Sequence, residues 1–273
     1  MFTARVFKFA VVAAGLGFVP TQVFGLSSSC ESTLASIVLA PSSACLNAQA
    51  LIGVVTAPAN SSLVDPINNW LTGMCAQPAC TNDTLSSVVS NITTGCQSDL
   101  SGLGSLSPQE IEQVVVSAYP AVRQVACLTD SNNNNGLCVT ETLTAVQSST
   151  GTTLSTNGVM QLVQQIMGGQ VPNLPSSVLC TDCTKAAFNI INTQYPGLAN
   201  GSVNVVGNIS STCGADFVNG STPSTISQSA NSGTQSVNPN GAASFAIAES
   251  PLGFAGVVLS SLFALGSGLA ILA

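Results

Sequence analysis

The sequence predicts an all-α domain stapled by disulfides, and three observations carry that expectation. Ten cysteines, an even number, fall between Cys30 and Cys213 behind an N-terminal stretch of secretory form. In an oxidising compartment such a set reads as a disulfide framework rather than as metal or redox chemistry. Apolar residues recur at helical spacing in segment after segment, while strand-type alternation is nowhere sustained. Finally, VVSNITTGCQSDL at Val88–Leu100 returns as VVGNISSTCGADF at Val205–Phe217, an internal echo that divides the folded region into two halves.

Taken in order, Met1–Lys8 carries Arg5 and Lys8, and the apolar run Phe9–Val19 follows until Pro20 breaks it. This is the form of a secretory signal peptide, too short to span a bilayer, with cleavage expected after Gly25. Helices are expected over Glu31–Leu39, Leu46–Val55, Val64–Met74, Leu85–Cys96, Pro108–Ala118, Val139–Gln147, Gly158–Met167, Thr184–Asn192 and Val205–Cys213. Leu85, Val88, Val89, Ile92 and Cys96 share one helical face, and Asn91 falls about 120° from its centre at ~100° per residue. Pro108 followed by Glu110 and Glu112 marks a helix start, since proline fits the first turn and acids favour the positive end of the dipole.

The cysteines divide five and five around Ser101–Ser107: Cys30, Cys45, Cys75, Cys80 and Cys96, then Cys127, Cys138, Cys180, Cys183 and Cys213. Two five-cysteine pseudo-repeats, 30–100 and 127–217, are the expected organisation, although the intervals between cysteines differ. An odd number in each half requires at least one bridge between halves on full oxidation. Local reasoning pairs Cys30 with Cys45, across one helix and its Pro41-Ser42-Ser43 turn, and Cys127 with Cys138, across the polar loop Asp130–Gly136.

Beyond Phe217 the composition shifts. Ser221–Asn240 holds nine Ser/Thr in twenty residues and no charge, which reads as a stalk that cannot bury a core. Asn240-Gly241-Ala242, a spacer and the apolar run Leu252–Ala273 then form the parts of a GPI-attachment signal. Asn240 is the leading acceptor, with Gly241 and Ser232 as alternatives. A transmembrane helix over Leu252–Ala273 is the competing reading; no Lys or Arg follows to hold a cytoplasmic end. The expected organisation is thus a signal peptide (1–25), a cysteine-rich helical head (26–220), a stalk (221–240) and a removed attachment signal (241–273).

Charge narrows the function classes. There is no histidine, and without the two terminal signals Arg123 and Lys185 face ten carboxylates, a formal charge of −8. Such a chain cannot neutralise a phosphate backbone, so nucleic acid is excluded as a partner. Six Asn-x-Ser/Thr sequons, at Asn60, Asn82, Asn91, Asn200, Asn208 and Asn219, offer glycan as the source of solubility. Histidine-dependent nucleophilic triads are ruled out. Cys180-Thr181-Asp182-Cys183 has the C-x-x-C form, but with no βαβ pattern and no histidine it reads as structural disulfide. A carboxylate hydrolase would need two of Asp65, Asp99, Glu110, Glu112 and Asp216 in one cleft. Asp99 and Asp216 are the best matched by the echo, yet a helix-end or turn hydrogen bond explains them more simply. Trp70 and Tyr119 are isolated and expected in the core. No catalytic residue, metal site or cofactor is expected.

The leader, the repeated N-I-[ST]-[ST]-x-C-x-x-D element, YPAVRQVACL at Tyr119–Leu128, CTDCTKAAFNIIN at Cys180–Asn192 and the GPI-like tail together resemble a family of secreted, cysteine-rich, GPI-anchored proteins of fungi, chiefly basidiomycetes, that carry a domain of unknown function. The resemblance implies a cell-surface or cell-wall address and carries no catalytic residues with it. The expectation is an anchored surface glycoprotein with a structural, adhesive or interaction role, in contact with the membrane through a GPI lipid and with cell-wall polymers. An extracellular lipid- or sterol-binding module is the alternative, because helices tied by disulfides around an apolar interior can hold a small ligand.

Overall fold

A computed structural model describes residues 27–100, 107–155, 157–158, 174–196 and 205–233. The chain folds as the expected disulfide-stapled helical domain, with one small sheet added. Helix α1 (Ser28–Leu39) starts where the Ser27 side chain accepts the Cys30 N–H. It packs against α4 (Asn82–Gly95), which Thr81 caps through the Thr84 N–H. The approach is close, since a Cβ at Gly95 would fall inside the Thr33 side chain. Leu85, Val89 and Thr93 form the buried stripe of α4, and Asn91 is exposed as the helical count predicts.

The helix expected over Leu46–Val55 is broken. Two 3-10 turns (Pro41–Leu46, Ala48–Ala50) precede a short α2 (Leu51–Val55), with Asn47 left-handed at φ 49° between the turns. Tertiary hydrogen bonds hold this break: the Asn47 amide donates to the Trp70 carbonyl at 2.9 Å, and Trp70 Nε1 donates to the Leu46 carbonyl at 2.8 Å. Trp70 lies on α3 (Val64–Ala76), whose Leu71, Met74 and Cys75 are buried in the largest apolar cluster.

A four-residue turn of helix, α5 (Gln97–Leu100), follows α4, and α6 (Pro108–Ala126) then opens with a complete Ser107/Glu110 capping box. It runs past the predicted end at Ala118 and through Pro120. Proline there gives up one helical hydrogen bond, and packing against α4 holds the helix in line. Next come β1 (Leu128–Asp130), β2 (Gly136–Leu137) and α7 (Cys138–Thr150). After them lie α8 (Ser176–Leu179), α9 (Asp182–Gln194), α10 (Val205–Cys213) and β3 (Ile226–Gln228). Nearly all of the predicted helix Gly158–Met167 lies outside the described residues. Among those residues, no helix is long and apolar enough to cross a membrane.

The sheet, ordered β2-β1-β3 and antiparallel throughout, is a small addition to the all-α framework. Its strands are two or three residues long, too short for alternation to register in the sequence. β3 corrects the expected stalk, because residues 221–233 lie against the head. Ile226 is buried, the Ser229 N–H donates to the Cys127 carbonyl at 2.9 Å, and the Asn231 N–H donates to the Cys75 carbonyl at 2.8 Å. A Ser/Thr-rich segment can add to a sheet edge through its backbone without supplying much apolar surface.

All ten cysteines are paired, as Cys30–Cys96, Cys45–Cys80, Cys75–Cys127, Cys138–Cys183 and Cys180–Cys213. Both locally argued pairs are therefore corrected. Cys30 sits in the first turn of α1 and Cys45 lies beyond its far end. The helix rises about 14 Å from Cys30 to its end at Leu39, whereas bridged Cα atoms stand under ~7 Å apart. For the second pair, the register Thr129↔Leu137 sets Cys138 opposite Leu128. Cys127, one residue off, points to the other face, and accordingly joins a different apolar cluster from Cys138.

The connectivity repeats in part. The second and fourth cysteines of each half pair with each other, and the echoed segments both form a helix, a cysteine and a short helical turn: α4 with α5, then α10 with the 3-10 turn Ala215–Val218. The halves diverge elsewhere. The first pairs Cys30 with Cys96, while the second pairs Cys180 with Cys213 and leaves Cys127 to cross to Cys75, the expected bridge between halves.

Cutting a protease site introduced between Leu100 and Ser107 is expected to leave both fragments joined on a non-reducing gel and to separate them on reduction. Changing Cys75 and Cys127 together to Ser removes the link and lowers unfolding free energy by about 4 kcal/mol on the chain-entropy model. Fragments that stay joined without that bridge would refute the connectivity.

Candidate functional site

A groove of about 600 Å3 opens where the first turns of α3 and α7 meet the β1–β2 connection. Its wall is mixed: Asp65 and Asn68 from α3, Asp130 and Asn132 from the connection, and Thr140 and Glu141 from α7 stand beside the apolar Val64 and Ala145. Each side chain is placed by backbone structure. Asp130 ends β1 opposite Gly136, and its Oδ1 accepts the Asn132 N–H at 2.8 Å, which folds the 3-10 turn Ser131–Asn133. Asn134 and Asn135 turn the chain back at φ 51° and 57°. Glu141 stands in the first turn of α7, where an acid is favoured by the helix dipole, and its Oε2 accepts from the Asn133 amide at 3.1 Å. The Thr140 hydroxyl reaches Asn68 Oδ1 at 3.2 Å and joins α7 to α3 across the floor.

Asp130 and Glu141 converge. Their carboxylate oxygens and the Cys183 sulfur lie within 4.8 Å of one another. That sulfur is bonded to Cys138, so it is no thiolate and the two carboxylates are the reactive pair. Asp130 is only 6% exposed, and no Lys or Arg lines the groove. Burial pushes the Glu141 carboxyl above its ordinary value; the Asn133 hydrogen bond opposes it in part, and the charges of Asp130 and Asp182 add lesser upward pushes. Two acids so placed have two chemical outlets: they share a proton, or they share a cation.

Apart from Asp65, the residues singled out in the sequence are placed elsewhere. Cys180 and Cys183 are not bonded to each other, and each belongs to a separate structural bridge. Of the five acids considered for hydrolysis, only Asp65 lines the groove. Asp99 accepts the Ser27 N–H at 2.9 Å and the Ser27 hydroxyl at 2.7 Å, which ties the start of α1 to the end of α5 and holds the Asp99 carboxyl below its usual range. Glu110 completes the capping box, whose hydrogen bonds from Ser107 lower its carboxyl likewise. Asp216 is exposed on the 3-10 turn after α10. Trp70 packs on the main cluster, and the Tyr119 hydroxyl accepts the Cys80 N–H at 3.0 Å. The sequons Asn60, Asn82, Asn91 and Asn219 are exposed and Asn208 lies on α10. Asn200 and the acceptor Asn240 lie outside the described residues.

Comparisons with family models, with characterised proteins and with solved structures find no match to this chain. Asp130 and Glu141 are not among the sequence candidates because Asp130–Gly136 reads as a polar turn between two helix ends. The usable signal was the pair of acids eleven residues apart on either side of an asparagine-rich turn.

Because its folded-state pKa is raised, Glu141 favours the native state while protonated, and that contribution is lost as pH rises through the folded pKa. In metal-free buffer its side-chain carboxyl 13C signal is expected to titrate above the ordinary glutamate range and to move down in Asp130→Asn. A midpoint indifferent to that substitution would mean the two carboxylates do not face each other.

Proposed function

We propose that this chain is a secreted, GPI-anchored cell-surface glycoprotein whose disulfide-stapled helical head has a structural, adhesive or interaction role at the cell wall. The observation that carries the reading is the complete pairing of ten cysteines in a head with very few cations, a state that belongs to oxidising compartments. The N-terminal run Phe9–Val19, the tail Leu252–Ala273 and the resemblance to the fungal GPI-anchored family support the address. Exposure of Asn60, Asn82, Asn91 and Asn219 leaves room for N-linked sugar. The groove at Asp130 and Glu141 presents amides, hydroxyls and carboxylates beside Val64 and Ala145, a mixed lining able to meet a polar wall polymer.

Phosphatidylinositol-specific phospholipase C is expected to release the protein from intact cells, and N-glycosidase treatment to lower its mass by several glycans. Retention of a form that still carries Leu252–Ala273 would replace the lipid anchor with a spanning helix.

A further inference from the structure

Burial sorts the five bridges. Cys30–Cys96, Cys75–Cys127 and Cys138–Cys183 are buried at both residues, and Cys45–Cys80 is buried at Cys80. Only in Cys180–Cys213 are both residues exposed in part. A disulfide is exchanged when a thiolate reaches one of its sulfurs, so access decides which bridge opens first. Exposed bridges are the labile and regulatory ones, whereas buried bridges serve structure.

The same bridge governs a large share of the chain. While it is closed, the covalent framework extends to Cys213; once it opens, the framework ends at Cys183. Helix α10, the 3-10 turn Ala215–Val218 and β3 are then held by packing and hydrogen bonds alone. Cys180 and Cys213 both border the apolar cluster of Phe188, Ile209 and Phe217, which joins α9 to those elements. Next to Phe188 the fit is incomplete. Asn189, 6% exposed on α9, donates to the Ser221 carbonyl at 2.7 Å, but its Oδ1 accepts no hydrogen bond among the described residues. A buried acceptor without a donor works against closure, and water reaches it when the covering segment lifts. The covering segment is thus poorly secured at the place where its covalent hold is accessible.

We propose that Cys180–Cys213 is a redox-sensitive latch, which a dithiol reductant opens ahead of the other four bridges to free α10, Ala215–Val218 and β3 from covalent hold. One thiolate of the dithiol attacks a bridge sulfur, breaks the Cys180–Cys213 bond and forms a mixed disulfide. The second thiol of the reductant then displaces the remaining cysteine. The bridge takes up two electrons and two protons and becomes two thiols, while the dithiol becomes a disulfide. The four buried or half-buried bridges keep the rest of the head closed. The opened form presents Phe188, Ile209 and Phe217, an apolar surface that the closed form hides.

The test uses the purified, disulfide-intact chain. Dithiothreitol is added in rising amounts under native conditions, thiols are trapped with N-ethylmaleimide, and the labelled cysteines are located by peptide mass spectrometry. Cys180 and Cys213 are expected to be labelled first, at least about ten times faster than any other pair. In the trapped form, hydrogen exchange is expected to rise across 205–218 while α1, α4 and α6 keep their protection, and Tm to fall by about 10 °C. The double substitution Cys180→Ser, Cys213→Ser is expected to reproduce the raised exchange without reductant; if it prevents folding, the trapped wild-type chain still decides. First labelling at Cys45 and Cys80, or at any other pair, would overturn the proposal, as would all five bridges opening together. Unchanged protection of 205–218 in the trapped form would equally overturn it, because the bridge would then hold nothing shut.

Discussion

The junction at the end of α3 is the constraint on which the rest of this head depends. Three carbonyls there, those of Met74, Cys75 and Gln77, point out of the last helical turn and need donors. The buried Arg123 of α6 supplies them, with Nη1 reaching Met74 at 2.9 Å and Nη2 directed at Cys75 and Gln77. The same side chain places its charge at the negative end of the α3 dipole, so a cation buried without a carboxylate partner is still compensated. Four residues further on, Cys127 closes the covalent link to Cys75. The segment just beyond β3 then bonds to the carbonyls of both cysteines, Ser229 to Cys127 and Asn231 to Cys75. Guanidinium, disulfide and C-terminal segment thus converge on a few peptide units, and the connection bearing Asp130 leaves directly from them.

Composition explains why covalent fastening is needed. Charged residues are 5% of the chain and aromatic residues another 5%, so neither large rings nor ion-pair networks are available to hold helices together. Small hydroxylated residues take part of the interior instead, among them Ser43, Thr93, Thr129, Thr140, Thr142 and Thr184. Thr93 and Thr142 return their hydroxyls to carbonyls one helical turn back, which satisfies them without adding cohesion between elements. Five bridges closing loops of 33 to 66 residues restrict the unfolded chain where a bulkier core would otherwise supply the stability.

Helix positions were legible because periodicity is local. The buried stripe of α4, the exposure of Asn91 and the start of α6 at Pro108 all follow from spacing and capping chemistry within a few residues. Bridge partners were not legible, since pairing depends on where helix ends meet in space. The argument from nearness in sequence failed at Cys30 because a helix is a rigid spacer that drives its two ends apart. β3 was hidden for another reason: a three-residue edge strand needs only backbone groups, and a Ser/Thr-rich composition says little about those. The echo at Val88 and Val205 was a sound guide to local shape and a poor one to pairing, as its two cysteines take partners at different places in their halves. The acids of the groove were not legible as a pair, because Asp130 and Glu141 are separated by a turn and become neighbours only when β1 and β2 pair.

The order of fastenings along the chain also fixes how the head bears tension. The last bridge closes at Cys213, and after it only backbone hydrogen bonds and a few side chains attach residues 214–233 to the rest. A pull applied beyond Gly233 therefore peels the Asn231 and Ser229 contacts first and β3 next, then stops at a covalent bond. About twenty residues are paid out before that stop, a tether of roughly 70 Å at ~3.5 Å per residue. The helices behind Cys213 stay closed meanwhile. The segment that reads as a plain spacer is thus the outermost layer of the head, the one part of it that lies beyond the last covalent fastening among the described residues.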